Sequence, residues 1–201
     1  HQQSLTIKLT APTGKAAARL TESISNAKES LPVAQSIKDI IPERASTLHR
    51  LLGANFGRSE FKFNAHNPLH LDVLLVDEVS MVDLPMMAKL IDALPSHARL
   101  ILLGDKDQLS SVEAGGVLGD LTAEIDQLSF TGTWTEYLSK MLEMDFSSYS
   151  HSYNESKWAC QNLTLLKKSY RFDGSSGIGQ LASAVNQGNE KQAMRVLYTP
   201  P

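Results

Sequence analysis

The stretch Val73–Asp83, VLLVDEVSMVD, places four apolar residues immediately before the adjacent carboxylates Asp77 and Glu78. A short apolar run that ends in polar residues is typical of a buried strand. Adjacent carboxylates at the end of such a strand can hold a magnesium ion and polarise an attacking water, and phosphoanhydride hydrolysis needs both. For this motif taken alone, two solvated acids after a strand are the simpler alternative.

Two more apolar runs have strand length and end in polar residues: Leu5–Lys15 (LTIKLTAPTGK) and Ala98–Gln108 (ARLILLGDKDQ). Strands that alternate with helices predict an α/β fold with a mainly parallel sheet covered on both faces. Such sheets bind ligands at the carboxyl ends of their strands, where all three polar signals lie. The helices predicted after the three runs are Gly14 to about Leu31, Leu84 to about Leu94 and Ala114 to about Glu124.

The remaining segments are less regular. Between the first two runs, Ala45–Gly53 (ASTLHRLLG) predicts a short helix and Phe56–Pro68 predicts a loop or hairpin. Residues 122–160 lose periodicity and are rich in Ser, Thr and Tyr, which predicts an insertion or mobile loop. Beyond them, Asn162–Phe172 (NLTLLKKSYRF) predicts a fourth strand, followed by a helix that ends near Gly188.

Composition limits the class of protein. The 201 residues, 42% of them hydrophobic, are enough for one globular domain. No run approaches the roughly 18 apolar residues of a membrane span, and the N-terminus has no signal-peptide pattern and begins as if cut from a longer chain. The single cysteine, Cys160, excludes an internal disulfide and a cysteine-rich zinc site, which predicts a reducing, cytoplasmic setting.

Charge is distributed unevenly along the chain. Residues 1–60 carry eight Lys and Arg against five Asp and Glu, whereas residues 70–150 carry four against fourteen. Residues 161–201 again have a net charge of +3. This pattern fits a polyanion-binding edge and a cation-binding centre on one domain, and it fits an uneven scatter of surface charge equally well.

Two more polar side chains add to the chemistry of Asp77 and Glu78. Gln108 follows Gly104-Asp105 at the end of the third run, and its neutral amide suits contact with a γ-phosphate oxygen. Arg171 follows the predicted fourth strand, where a guanidinium can stabilise transferring phosphoryl charge. A Gly-Asp turn and a surface arginine are the simpler alternatives, but they do not explain the matched strand ends.

The octapeptide Thr10–Ala17, TAPTGKAA, partly matches the phosphate-binding loop G-x-x-x-x-G-K-[ST]. In that loop glycine backbones wrap the phosphates and the hydroxyl binds magnesium. Gly14 and Lys15 fit, but Leu9 stands where the first glycine should be and Ala16 where the hydroxyl should be. The loop is therefore not a Walker A motif, and the chain contains none elsewhere.

Five segments of the chain resemble, in order, motifs Ia, Ib, II, III and IV of superfamily 1 DNA helicases. They are LTAPTGKAAARL, STLHRLLG, LLVDEVSMVD, LLGDKDQLSSVEAGGVLGD and LLKKSYRF. Within that superfamily the set is most similar to the RecD family, the alpha subunits of bacterial exonuclease V. The similarity covers roughly residues 5–121 and 161–188. It implies a three-layer, RecA-like P-loop NTPase domain, here truncated.

The resemblance also implies a division of the chain. Residues 1–121 would be the core of the first motor domain without its Walker A strand and helix, and residues 122–160 an insertion or mobile loop. Residues 161–201 would hold the returning strand with motif IV and the following helix. In a RecA-like sheet the strands ending near Thr10 and Asp77 and at Gly104 would still pair contiguously.

Site roles follow from the same resemblance. It implies Asp77 as the Mg²⁺ ligand, Glu78 as the general base, Gln108 as the γ-phosphate sensor and Arg171 as the arginine finger, with ATP and Mg²⁺ as cofactors. It also implies contacts with single-stranded DNA. The residues concerned are Thr13, Gly14 and Lys15 at a helix N-terminus, with Thr47 and His49 farther along the path.

For His49, a packed or helix-capping role is an equal alternative. The implied activity is ATP-driven translocation on single-stranded DNA in double-strand break repair and recombination, with RecB and RecC as partner subunits. Because Walker A and motifs V and VI are missing, we expect the chain alone to be inactive. A P-loop ATPase that acts on other substrates, and a non-catalytic scaffold derived from a motor domain, are the alternatives.

Overall fold

The computed structural model describes residues 5–55, 60–105, 108, 117–122, 130–151, 162–166 and 176–198. Contacts divide the chain into two compact units, His1–Glu124 and Ile125–Pro201. Among the described residues, no helix combines the length and the apolar character needed to cross a membrane.

The first unit contains a sheet and the helices that pack on it. Its strands are β1 (Ile7–Ala11), β2 (Ser46–Thr47), β3 (Val73–Val76) and β4 (Arg99–Leu102). Its α-helices are α1 (Gly14–Ser30), α2 (Gln35–Ile40), α3 (Leu48–Leu51), α4 (Leu84–Ala93) and α5 (Val117–Thr122). A 3-10 helix, Val79–Met81, follows β3.

The four strands form one parallel sheet in the order β2-β1-β3-β4. Thr10 pairs with Val76, and Val76 pairs with Leu102, so the carboxyl ends of β1, β3 and β4 lie at one edge. The three predicted strands and their contiguous pairing are confirmed. β4 is the last strand of the described sheet.

Local sequence explains where the two long helices begin. Thr13 precedes α1, and its hydroxyl accepts a hydrogen bond from the amide of Ala16 at 3.2 Å. Asp83 caps α4 in the same way, accepting from the amide of Met86 at 2.7 Å. Such caps satisfy amides that have no partner within the helix. Both helices start at the predicted residue and end one residue before the predicted end.

The core fills one face of the sheet. Leu74 and Val76 of β3 are fully buried there, under α3 and α4. The residues of α3, its C-cap and α4 that are buried in the same cluster are Leu48, Leu52, Met87, Leu90 and Ala93.

Coverage of the other face decreases from β1 to β4. Leu9 in β1 is 5% exposed, its neighbour Leu75 is half-buried, and Ile101 in β4 is 43% exposed. α1 packs against β1 and covers this face there, whereas the face is more open at β4.

The second unit contains regular structure where a loop was predicted. β5 (Phe130–Thr131) and β6 (Ser150–His151) form a two-stranded parallel sheet, and between them lie α6 (Gly132–Leu142) and a 3-10 helix, Ser147–Tyr149. The loop prediction is therefore wrong for residues 130–151. The polar residues that suggested a loop are compatible with a helix, because the Thr135 hydroxyl donates to the Thr131 carbonyl at 2.9 Å. That residues 122–160 are an insertion stays a prediction.

The C-terminal predictions have mixed outcomes. Residues 163–166 form no strand, so the fourth strand is wrong there, and Arg171 lies outside the described residues. The helix before Gly188 is confirmed as α7 (Gly177–Asn186), and Gly188 takes the positive φ of +64° that a helix end favours. The last helix is α8 (Glu190–Tyr198).

Three shorter predictions are confirmed within the described residues. The short helix after β2 is α3, and α5 covers the middle of the third predicted helix. The predicted loop or hairpin before β3 contains a tight turn, in which Asn64 and Asn67 exchange backbone hydrogen bonds of 3.1 and 3.0 Å.

Candidate functional site

Asp77 stands directly after β3, at the edge where the strand ends meet. Its amide donates to the Thr10 carbonyl at 2.9 Å, which extends the pairing of β1 and β3 by one bond. One carboxylate oxygen, Oδ1, accepts from the amide of Glu78 at 2.9 Å. The half-buried carboxylate is thus fixed through both its backbone and one oxygen, which leaves Oδ2 for a ligand.

Glu78 has a left-handed backbone, with φ 55° and ψ 41°. For a residue other than glycine this conformation costs about 1–3 kcal/mol and is concentrated at functional sites. Two bonds hold it: the amide of Met81 donates to the Glu78 carbonyl, and the amide of Val79 donates to Leu103, both at 3.0 Å. This left-handed conformation at Glu78 turns the chain from β3 directly into the 3-10 helix.

Ser80 links the ends of β3 and β4. Its side chain is buried, with 5% of the residue exposed, and its hydroxyl donates to Oε1 of Gln108 at 3.1 Å. With Oε1 engaged, the amide nitrogen of Gln108 is the group that can donate to a ligand oxygen. The sequence motifs pair Gln108 with Asp77 and Glu78 but do not include Ser80, whose only signal is a hydroxyl within the apolar run VSMV.

Gly104 allows the segments that follow β3 and β4 to approach each other. A Cβ atom at this position would lie 2.7 Å from Cδ2 of Leu118 and 3.3 Å from the amide nitrogens of both Val79 and Ser80. The Gly-Asp turn is also present, because the amide of Gln108 donates to the Asp105 carbonyl at 3.3 Å. The Gly-Asp turn therefore does not exclude the pairing of Gln108 with the end of β3, where Asp77 and Glu78 stand.

Thr13, Gly14 and Lys15 lie at the carboxyl end of β1 and are exposed. Thr13 caps α1, so the predicted helix N-terminus is confirmed. Exposed amides and an ammonium group at a helix N-terminus can bind a phosphate. The contact with DNA itself stays a prediction.

Thr47 and His49 lie beside this loop, because Thr47 of β2 pairs with Ala11 of β1. The Thr47 hydroxyl accepts from the amide of Arg50 at 3.3 Å and caps α3. His49 is exposed, and its ring meets Phe61 edge-on, with centroids 5.8 Å apart. The Phe61 contact is compatible with the packed alternative for His49, and the DNA contact of His49 stays a prediction.

The side chains at this edge fit part of a site for Mg²⁺ and a nucleotide. The described residues contain no cluster of three or more His, Cys, Asp or Glu side chains that could hold a metal ion. Mg²⁺ needs fewer, since it is usually bound by one or two carboxylates together with waters and phosphate oxygens. Asp77 and Gln108 therefore fit one wall of a magnesium–nucleotide site. The chain supplies no Walker A sequence for the opposite wall.

Comparisons with known proteins agree with this arrangement. The sequence pattern of the AAA domain family matches residues 1–114. RecBCD enzyme subunit RecD of Haemophilus influenzae is 47% identical over 198 residues, which covers 96% of this chain and 30% of that protein. RecBCD enzyme subunit RecD of Mycolicibacterium smegmatis is 39% identical over 192 residues, covering 95% of this chain and 28% of that protein.

A third relative carries a different name. The ATP-dependent RecD2 DNA helicase of Deinococcus radiodurans is 42% identical over 111 residues, which covers 55% of this chain and 13% of that protein. The chain thus spans about 30% of the length of the Haemophilus RecD subunit. With the family pattern matched over more than half of its residues, the chain belongs to the AAA domain family and is similar over nearly its whole length to RecD subunits.

Proposed function

We propose that this chain is part of the ATP-dependent DNA helicase subunit of a RecBCD-type enzyme, exonuclease V. It would couple ATP hydrolysis to translocation on single-stranded DNA in double-strand break repair and recombination. The observation that carries the proposal is the hydrogen bond from Ser80 to Gln108. It joins the segments after β3 and β4 at the edge where Asp77 and Glu78 stand.

The hydrolytic roles are divided among three side chains. Asp77, with Oδ1 held by the amide of Glu78, offers Oδ2 to Mg²⁺. Glu78 accepts a proton from the attacking water, and the amide nitrogen of Gln108 donates to a γ-phosphate oxygen. Bound Mg²⁺ and ATP would supply charge neutralisation and the phosphoanhydride to be cleaved. Arg171 is proposed as the arginine finger on the basis of its motif alone.

The DNA roles belong to the neighbouring strand ends. Lys15 and the amides of Thr13 and Gly14 would bind a phosphate of single-stranded DNA, and Thr47 and His49 would lie along the same path. The adjacent pairing of β1 and β2 supports this assignment, since it brings both segments to one edge. Backbone contacts of this kind position a strand without reading its sequence.

The relatives' names support the wider context. Two are subunits of RecBCD enzymes, so RecB and RecC are the proposed partners. The proposed organisation is a first motor-domain core in residues 1–121, an insertion in residues 122–160, and a segment bearing motif IV in residues 161–201. A P-loop ATPase without a nucleic-acid substrate and a non-catalytic scaffold are both less favoured, because the RecD2 relative is named an ATP-dependent DNA helicase.

Substitution of the carboxylates tests the proposal. In the full-length protein, Asp77→Asn or Glu78→Gln should lower DNA-stimulated ATP hydrolysis by at least about 100-fold, because each removes several kcal/mol of transition-state stabilisation. Affinity for single-stranded DNA should stay close to that of the wild type. Asp92→Asn, at an exposed carboxylate of α4, is the matched control. Near-normal turnover in either test variant would contradict the assignment.

A further inference from the structure

The Phe61 ring, which contacts His49, belongs to a group of two phenylalanines and two lysines that the sequence motifs do not include. The ammonium group of Lys89, on α4, lies 5.3 Å from the ring centroid of Phe61, whose other neighbour is the His49 ring. The ammonium group of Lys62 lies 5.1 Å from the ring centroid of Phe63. We call these residues the Phe61 cluster: His49, Phe61, Lys62, Phe63 and Lys89.

The fold holds the cluster in a fixed position. The amides of Lys62 and Phe63 donate to the carbonyls of Gly53 and Leu52 at 3.3 and 3.1 Å, so this segment runs along the end of α3. Gly53 has a φ of +72°, and a Cβ atom there would lie 2.7 Å from Cβ of Lys62, so this close approach requires glycine. Phe61 and Phe63 both pack against the hydrophobic core. The rings are therefore rigid supports for the two ammonium groups.

Among the described residues, these lysines contact aromatic rings and form no ion pair with a carboxylate. The ion pairs found in the described part of the chain join Lys28 to Glu43 and His97 to Asp72, and neither includes a lysine of the Phe61 cluster. An aromatic face attracts an ammonium group through its quadrupole but leaves the positive charge in place. Lys62 and Lys89 thus lie over aromatic rings, and Lys89 shares the Phe61 ring with the exposed His49.

We propose that Lys62 and Lys89 bind phosphates of single-stranded DNA and extend the path beyond Thr47 and His49. The inference rests on the proposed function. Phosphate contact is favoured over base stacking, because the Phe61 ring already contacts His49, Lys89 and the core. Phe61 is a positioning residue that holds Lys89 over its ring. Binding through phosphates predicts strong salt dependence and no base preference.

The test uses the full-length protein and a fluorescein-labelled oligo(dT), with binding followed by anisotropy over a series of salt concentrations. Lys62→Gln and Lys89→Gln should each weaken binding about fivefold and reduce the salt slope by about 0.7, the value for one phosphate on a single strand. Lys89→Arg should retain binding. Lys191→Gln, which removes a charge from an exposed lysine of α8, is the matched control and should bind like the wild type.

Phe61→Leu distinguishes a role of Phe61 in positioning Lys89 from a role in folding. It keeps an apolar side chain against the core but removes the ring, so we expect weaker binding with most of the salt slope retained. In the Phe61→Leu background, Lys89→Gln should have a smaller effect than in the wild type, since the two residues act as a pair. Equal effects in both backgrounds would overturn the positioning role.

Other outcomes overturn the inference in distinct ways. If the wild type hydrolyses ATP in response to DNA but both glutamine variants bind oligo(dT) normally, the inference fails and the proposed function stands. If Lys191→Gln causes the same loss, the effect is general charge and the cluster has no special role. If the variants lose RecB or RecC on co-purification while DNA binding is kept, the cluster is a protein interface. A wild type without DNA-stimulated hydrolysis would overturn the proposed function itself.

Discussion

The end of β3 and the end of β1 lie at the same edge of the sheet but are held in different ways. After β3, Asp77 bonds to Thr10 and Ser80 bonds to Gln108, so each is fixed by a residue far away in sequence. After β1, Thr13 caps the helix that it begins, and Lys15 is exposed. The proposed hydrolytic groups therefore depend on tertiary contacts, whereas the proposed phosphate-binding loop depends on its local sequence.

This difference suits the two proposed tasks. Hydrolysis needs donors and acceptors that are fixed before the reaction begins, because reorganisation would add to the barrier. Binding a DNA backbone needs accessible charge and tolerates side-chain motion. We therefore expect substitutions near β3 to have larger effects than substitutions near β1.

The largest effect is expected at Gly104, where the segments after β3 and β4 approach closely. Gly104→Ala should destabilise the protein by about 1–3 kcal/mol, because the added Cβ atom is overpacked against Leu118 and the amides of Val79 and Ser80. The measurement is the free energy of unfolding in urea. Gly119→Ala is the matched control, since a Cβ atom there meets nothing within 4 Å. In helix α5 that change should stabilise by about 0.5–1 kcal/mol. Equal effects of the two variants would contradict the close approach.

An intermediate effect is expected at Ser80. Ser80→Ala removes the hydrogen bond that holds Gln108, so kcat of DNA-stimulated ATP hydrolysis should fall about five- to tenfold, equivalent to roughly 1 kcal/mol. DNA affinity should be unchanged. Ser80 is a positioning residue, so the double variant with Gln108→Ala should be no slower than Gln108→Ala alone. Additive losses would mean that Ser80 does not act through Gln108.

The smallest effect is expected at Lys15. Lys15→Ala in the full-length protein should weaken single-stranded DNA binding a fewfold and lower its salt slope by about 0.7, the contribution of one phosphate. ATP affinity without DNA should hardly change, and Lys191→Ala serves as the control. If nucleotide binding collapsed instead, the loop would be a phosphate cradle, and the contrast between the two strand ends would disappear.

The sequence was sufficient wherever the signal is local. The apolar runs around Leu9, Leu74 and Leu100 predicted three strands, and the polar residues after them predicted the edge where the site forms. It was insufficient for residues 130–151, where serine and threonine hydroxyls can bond to the backbone of a helix as readily as to that of a loop. The apolar run at 163–166 suggested a strand, but a strand needs a neighbour that the run itself does not specify.

The sequence by itself determined the α/β alternation, the order of the motifs and the positions of Asp77, Glu78 and Gln108 at strand ends. Only the tertiary structure decided that Ser80 meets Gln108, that Gly104 must lack a side chain, and that Phe61 brings His49 and Lys89 together. Periodicity and capping act within a few residues and can be read along the chain. Contacts between residues 28 or 40 positions apart depend instead on which strands and helices become neighbours, and the packing of the whole sheet determines that.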